Sequence, residues 1–177
     1  MQKISKLVFV ISLAIISGLV SLVNVSAQSA TPQQLQQISN NCISLKSTIN
    51  QLHASDALLR VNMGQLYELV STKLMDRFNS RVSSNNLKTD KLATSSGIYK
   101  IDLDAFRADY IIYEESIVSL IKTDCRSNPG GFYDLLIVAR SNRSRVYDDV
   151  KRLNQQIDQY RSEVSQFEKD FQSAGGK

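Results

Sequence analysis

Residues 31–82 read TPQQLQQISNNCISLKSTINQLHASDALLRVNMGQLYELVSTKLMDRFNSRV, and their periodicity decides the fold. Leu35, Ile38, Cys42, Leu45, Ile49, Leu52, Leu59, Met63, Leu66 and Val70 step along the stretch by threes and fours, with Asp56 the one polar residue on the line. That spacing is a heptad seam, the period of a helix laid against partner helices. There is no glycine before Gly64 and no proline after Pro32 within the stretch. A helix of this length would run roughly 75 Å at about 1.5 Å per residue, more than a compact globule can cover. Its start has a mechanism: Thr31 caps, Pro32 stands where a missing N–H is harmless, and Gln34 completes a capping box. Beyond Val70 the seam continues through Leu74 and Phe78 at two successive spacings of four, a stutter that locally unwinds a supercoil.

Outward from this helix the pattern repeats. Ser83-Ser84-Asn85-Asn86 predicts a turn and Ser95-Ser96-Gly97 another, with a short helix over 87–95. A second helix is expected over 102–124, on the seam Leu103, Phe106, Tyr110, Tyr113, Ile117 and Leu120. Asp102 and Asp104 sit at its positive end, Lys122 and Arg126 near its negative end. Asn128-Pro129 repeats the cap-plus-proline start. A third helix follows over 129–171, its seam running from Phe132 through Leu136 and Ala139 to Phe171, with Arg143 as the polar exception. The expected fold is all-α: a long antiparallel three-helix, coiled-coil-like bundle over 28–177, with the middle helix broken near Gly97.

Composition agrees with long helices. Forty-two per cent of the 177 residues are hydrophobic, and 7 Gly and 2 Pro are too few for a loop-rich or disordered chain. Residues 1–27 read as a targeting segment: Lys3 and Lys6, then an uncharged apolar run over 7–23, then Val25-Ser26-Ala27 as a small-residue cleavage site. The run is long for a signal peptide, so a signal-anchor helix tethering the chain to a membrane is the alternative. Both readings place residues 28–177 outside the cell or at its surface. Without Lys3 and Lys6 the formal net charge of +4 falls to +2, which gives no case for a nucleic-acid partner.

The chain offers little for catalysis. His53 is the only histidine; Ser55, two positions on, points elsewhere on a helix, and a triad with Asp56 would have to be assembled by geometry across the fold. Neither C-x-x-C, H-E-x-x-H nor a Glu-x-x-His pair is present, so no metal site, haem or other cofactor is expected, and the chain reads as non-enzymatic. Cys42 and Cys125 are expected to form a disulfide, because an antiparallel hairpin brings the start of the first helix level with the end of the second. Asp56 and Arg143, the polar exceptions on two seams, are expected to form a buried ion pair. Each lies fourteen residues beyond a common level, Cys42 for one and Pro129 for the other, and Tyr110 is the expected phenol beside them. Arg140, Arg143, Arg145 and Arg152 form a basic stretch that Asp148 and Asp149 interrupt, which reads as a solvated face. Asn142-Arg143-Ser144 matches a glycosylation sequon but falls mid-helix.

Asp56-Ala57-Leu58-Leu59-Arg60-Val61-Asn62, Gly64-Gln65-Leu66-Tyr67-Glu68, and later Asp124-Cys125, Pro129, Phe132-Tyr133 and Ala139-Arg140 resemble small exported helical proteins of Saccharibacteria. That resemblance spans roughly residues 31–171 and implies an exported helical protein, leaving activity open. The expected role is therefore an exported or membrane-tethered bundle that binds or spaces an envelope or cell-surface protein, of undecided oligomeric state. The alternative is a bundle that holds a lipid or peptide where the first seam loosens, near Gly64 and the stutter.

Overall fold

The structure, a computed structural model, describes residues 29–88 and 90–175. The segment 1–27 read as a signal or anchor lies outside the described residues. Those residues are all-helical: α1 (Pro32–Asn40), α2 (Cys42–Leu69), a π segment (Val70–Met75), α3 (Asp76–Ser84), α4 (Asp90–Lys122) and α5 (Pro129–Ser173).

α1 to α3 form one nearly continuous rod. Its start is the capping box: Gln34 N–H donates to Thr31 Oγ1 at 3.2 Å while Thr31 N–H donates to the Gln34 side chain at 2.8 Å. The π segment begins at Val70, where the stutter begins. An extra residue in the turn resets the apolar phase, so that Met75 and Val82 return to the buried face. The rod closes at Asn86, whose φ of 56° is the left-handed conformation that asparagine tolerates at a helix end.

α4 departs from expectation. It is one helix from Asp90 to Lys122, so the break near Gly97 and the separate short helix over 87–95 do not occur. Ser95 and Ser96, which look like turn residues, are buried, while Gly97 lies exposed with open space beside it. Leu92, Tyr99 and Leu103 bury the same face on either side. Each such side chain contributes about 1.5–3 kcal/mol on burial, against a helical penalty of about 1 kcal/mol for glycine. Packing wins.

The start of α5 is the second cap. Gly131 N–H donates to Asn128 Oδ1 at 3.0 Å, and a Cβ at Gly131 would run into the side-chain amide of Asn128. A larger residue there would have to push the Asn128 side chain out of its capping position.

α5 packs along α4 in the most extensive interface of the molecule. The first rod meets α4 at Asp56–Tyr113 and Tyr67–Tyr99, and the turn after α4 at Cys42–Cys125, so they run antiparallel. It meets α5 at Asp56–Arg143 and Phe78–Phe167, so those two run parallel. Two core clusters result. One surrounds the disulfide, with Ile49, Ile117, Leu120 and Phe132. The other surrounds Tyr67, Met75, Leu103 and Leu153 near the π segment. Between them the seam of the first rod is not covered: Leu52 and Leu59 are 38% and 56% exposed, and by Leu66 the buried face has turned to its neighbour Tyr67. A heptad seam lays Leu52 and Leu59 against partner helices, and here no partner comes close enough to cover them.

Candidate ligand-binding groove

Where α2 stands off from α4 and α5, a groove of about 780 Å³ opens. Leu52, Leu59 and Met63 of α2 form one wall, Leu136, Val146 and Val150 of α5 the other, and Phe106, Tyr110 and Tyr113 of α4 the floor. The floor aromatics sit on the α4 seam, and their width helps to explain the gap. Tyr110 and Tyr113 meet edge to face, ring centres 6.0 Å apart, and Phe106 tilts against Tyr110 at 6.5 Å.

Polar contacts cross the groove and tie its walls together. Arg143 grips Asp56 with two hydrogen bonds, Nε to Oδ2 at 2.7 Å and Nη2 to Oδ1 at 3.0 Å. Tyr113 donates its hydroxyl to the same Oδ2 at 2.6 Å. Burial alone would raise the Asp56 pKa, but the Arg143 fork and the Tyr113 hydroxyl outweigh it and hold the carboxyl below its ordinary value. Tyr113 is pushed well up, first by burial and then by that carboxylate. Beyond the pair, Arg60 lies over the Tyr110 ring at 4.9 Å, and His53 Nε2 lies 2.7 Å from Glu114 Oε1.

The expected disulfide is present, Cys42 to Cys125 with Cα atoms 5.4 Å apart. The expected Asp56–Arg143 pair is present too, but not in the form anticipated. The Asp56 side chain is 11% exposed and that of Arg143 51%, so the pair is a half-exposed bridge, not a buried one. The phenol is Tyr113, one turn from the Tyr110 that residue counting indicates. α4 ends at Lys122, so the residues from there to Cys125 do not rise by the helical step that the count assumed. Tyr110 instead points its hydroxyl at Glu114, 3.4 Å away.

Most of the basic stretch on α5 is paired. Arg145 Nη1 reaches Asp109 at 3.9 Å, Arg152 Nε reaches Asp102 at 3.6 Å, and Arg152 also bonds Asp149. Asp149 is fully buried, with one carboxylate oxygen lacking a hydrogen-bond partner among the described residues. Burial pushes its carboxyl up to about 6; Arg152 opposes, and Asp109 and Asp102 add to the rise. Sequence reading missed Asp149. The available signal was its spacing of seven from Asn142, also buried: α5 packs on two neighbours, so its covered face is wider than a heptad seam. Among the described residues, no group of three His, Cys, Asp or Glu side chains could hold a metal ion, and no helix is long and apolar enough to cross a membrane. Comparisons with protein-family models, curated proteins and solved structures found no match to this chain.

Proposed function

We propose that the chain is an exported helical bundle that binds an apolar ligand in the groove between α2 and α4/α5. The observation that carries this is the groove itself, about 780 Å³, within the roughly 300–1,000 Å³ typical of small-molecule sites. A module that only spaced other proteins would gain by closing its seam, at about 1.5–3 kcal/mol for each large apolar side chain buried. Leu52 and Leu59 instead line an open groove, and a contiguous exposed apolar surface marks an interaction site. The three rods act as one antiparallel three-helix bundle, and residues 1–27 deliver it to the outside, as a signal peptide cleaved after Ala27 or as a tether. The disulfide is consistent with that compartment. The resemblance to exported Saccharibacterial proteins agrees with the compartment and is silent on the ligand.

The test is titration of the purified protein with a fluorescent naphthylamine probe. Saturable binding at one site is expected, lost in Met63→Glu with helicity unchanged. No saturable binding would leave the spacer reading in its place. On the compartment, N-terminal sequencing of exported protein should begin at Gln28, and intact Met1 in the membrane fraction would favour the tether.

A further inference from the structure

Resting on that reading of the groove, we propose that its ligand is a single-chain amphiphile with an anionic headgroup, a fatty carboxylate being the simplest. The chain lies along Leu59, Met63, Val146 and Val150. The headgroup is taken by Arg140 and the donors that Arg143 has left over. Three observations converge on this assignment.

The first is charge. The residues lining the groove include three arginines, Arg60, Arg140 and Arg143, and one acid, Asp56, a balance of +2 in an otherwise apolar wall. Asp56 is already held by Arg143. Among the described residues neither Arg60 nor Arg140 lies within ion-pairing distance of a carboxylate. Arg140 is the exception among the arginines of its own helix, since Arg143, Arg145, Arg152 and Arg161 each have an acidic partner. Arg140 is exposed and hydrated, and its place at the edge of an apolar groove suits an anion that carries apolar surface of its own.

The second is preorganisation. Arg143 uses Nε and Nη2 on Asp56. A guanidinium has five N–H donors, so three remain on a group already locked in place. Arg140 stands one turn before it on the same helix. Two guanidiniums, one fixed and one free, can clamp one carboxylate.

The third is size. Taking a methylene as about as large as a water, roughly 30 Å³, a sixteen-carbon chain fills roughly 500 Å³ and two such chains would overfill the groove. A peptide helix about 10 Å across and three turns long occupies roughly 1,300 Å³. Most of it would stand outside a groove of about 780 Å³. One extended chain with its headgroup is the occupant that fits.

The experiment compares a dansyl-tagged fatty acid with its methyl ester, which keeps the chain and removes the charge, by fluorescence titration of the wild-type protein, Arg140→Gln and Arg140→Lys. The acid should bind at least tenfold more tightly than the ester. Arg140→Gln should weaken acid binding about tenfold, as expected for loss of a charge-assisted hydrogen bond, and leave ester binding unmoved. Arg140→Lys should recover part of the loss. Equal binding of acid and ester, with no effect of Arg140→Gln, overturns the anionic headgroup while the groove reading stands. A fall in both ligands together, with helicity intact, makes Arg140 part of the wall and likewise overturns it. If the folded wild-type protein binds neither, both readings fail.

Discussion

α4 and the middle of α2 carry the same apolar rhythm and meet opposite fates. On α4, Leu103, Phe106, Tyr110, Tyr113, Ile117 and Leu120 are all buried. On α2, Leu52 and Leu59 keep the heptad spacing and stay exposed. Periodicity says which face of a helix is apolar. It does not say whether a neighbour comes close enough to cover that face. Here the large aromatics of α4 are on the floor, the polar bridge spans the gap, and the first rod is clamped mainly at its two ends. At the π-segment end the clamp is aromatic and hydrogen-bonded: Tyr67 packs edge to face on Phe106 at 5.7 Å, and Tyr160 donates its hydroxyl to Asn79 Oδ1 at 2.7 Å. At the other end it is covalent.

The covalent clamp is the most sensitive place to break that arrangement. Replacing Cys42 and Cys125 together by serine frees a loop with a sequence separation of 83 residues, and should lower stability by about 4 kcal/mol in the chain-entropy model. Urea denaturation measures it. An unchanged midpoint would mean that the first rod needs no clamp at that end. Thiol labelling of unfolded, unreduced protein should find neither cysteine free.

The contrast itself is tested by paired truncations. Leu103→Ala removes a fully packed side chain and should cost about 2–5 kcal/mol. Leu59→Ala removes one of equal size from the open groove, and should stay within about 0.5 kcal/mol. Comparable losses at the two sites would show the groove to be closed in solution. That outcome would count against ligand binding as well.

Asp149 offers a sharper contrast, a liability inside the well-packed interface. Its folded pKa of about 6 is raised from 3.8 by burial first. A raised carboxyl contributes stability that is full below the unfolded value and is lost as pH rises through the folded one. At pH 7 the ionised group therefore opposes folding. Asp149→Asn should stabilise the protein by about 2 kcal/mol there, since each tenfold change in proton affinity is worth about 1.4 kcal/mol and the lost Arg152 contact takes some of the gain back. The gain should shrink to nothing towards pH 4. Thermal denaturation across that range measures it, and a gain independent of pH would place the cause in packing.

Much of this was legible in the chain. Capping at Thr31 and Asn128, the disulfide and the partnership of Asp56 with Arg143 rest on local chemistry or on helix counting, and all of them survive the passage to three dimensions. What failed depends on neighbours. Gly97 looks like a break because a lone glycine weakens a helix, yet the face opposite it is buried. Tyr110 stood in for Tyr113 because a count in helical steps was carried across residues that have left the helix. The groove was expected near Gly64 and the stutter; it lies instead over Leu52 to Met63, and the stutter packs tightly around Tyr67 and Met75. The depth of the groove comes from side chains on α4 and α5 that no pattern within α2 can report.

The smallest effect concerns the bridge across the groove, and it separates a strut from an ornament. Asp56→Ala and Arg143→Ala, combined in a double-mutant cycle, should show coupling of about 1 kcal/mol. Half-exposed pairs seldom give more, because solvent screens the arginine and holding it in place costs rotamer freedom. Two features lift this pair above the surface median: the fork is bidentate, and the Tyr113 hydroxyl fixes the carboxylate from the other side. Tyr113→Phe should therefore lower the measured coupling, although phenylalanine keeps the ring on the floor. Acid should remove it as well. The Asp56 carboxyl is held below its ordinary value of 3.8, so the contribution of the pair is full above that value and disappears as pH falls through the folded one. That is opposite in sign to Asp149, so the two carboxyls can be told apart in one pH series. Coupling near zero at pH 7 would mean that α2 keeps its distance without the bridge, leaving the aromatic floor and the two end clamps to hold the groove open.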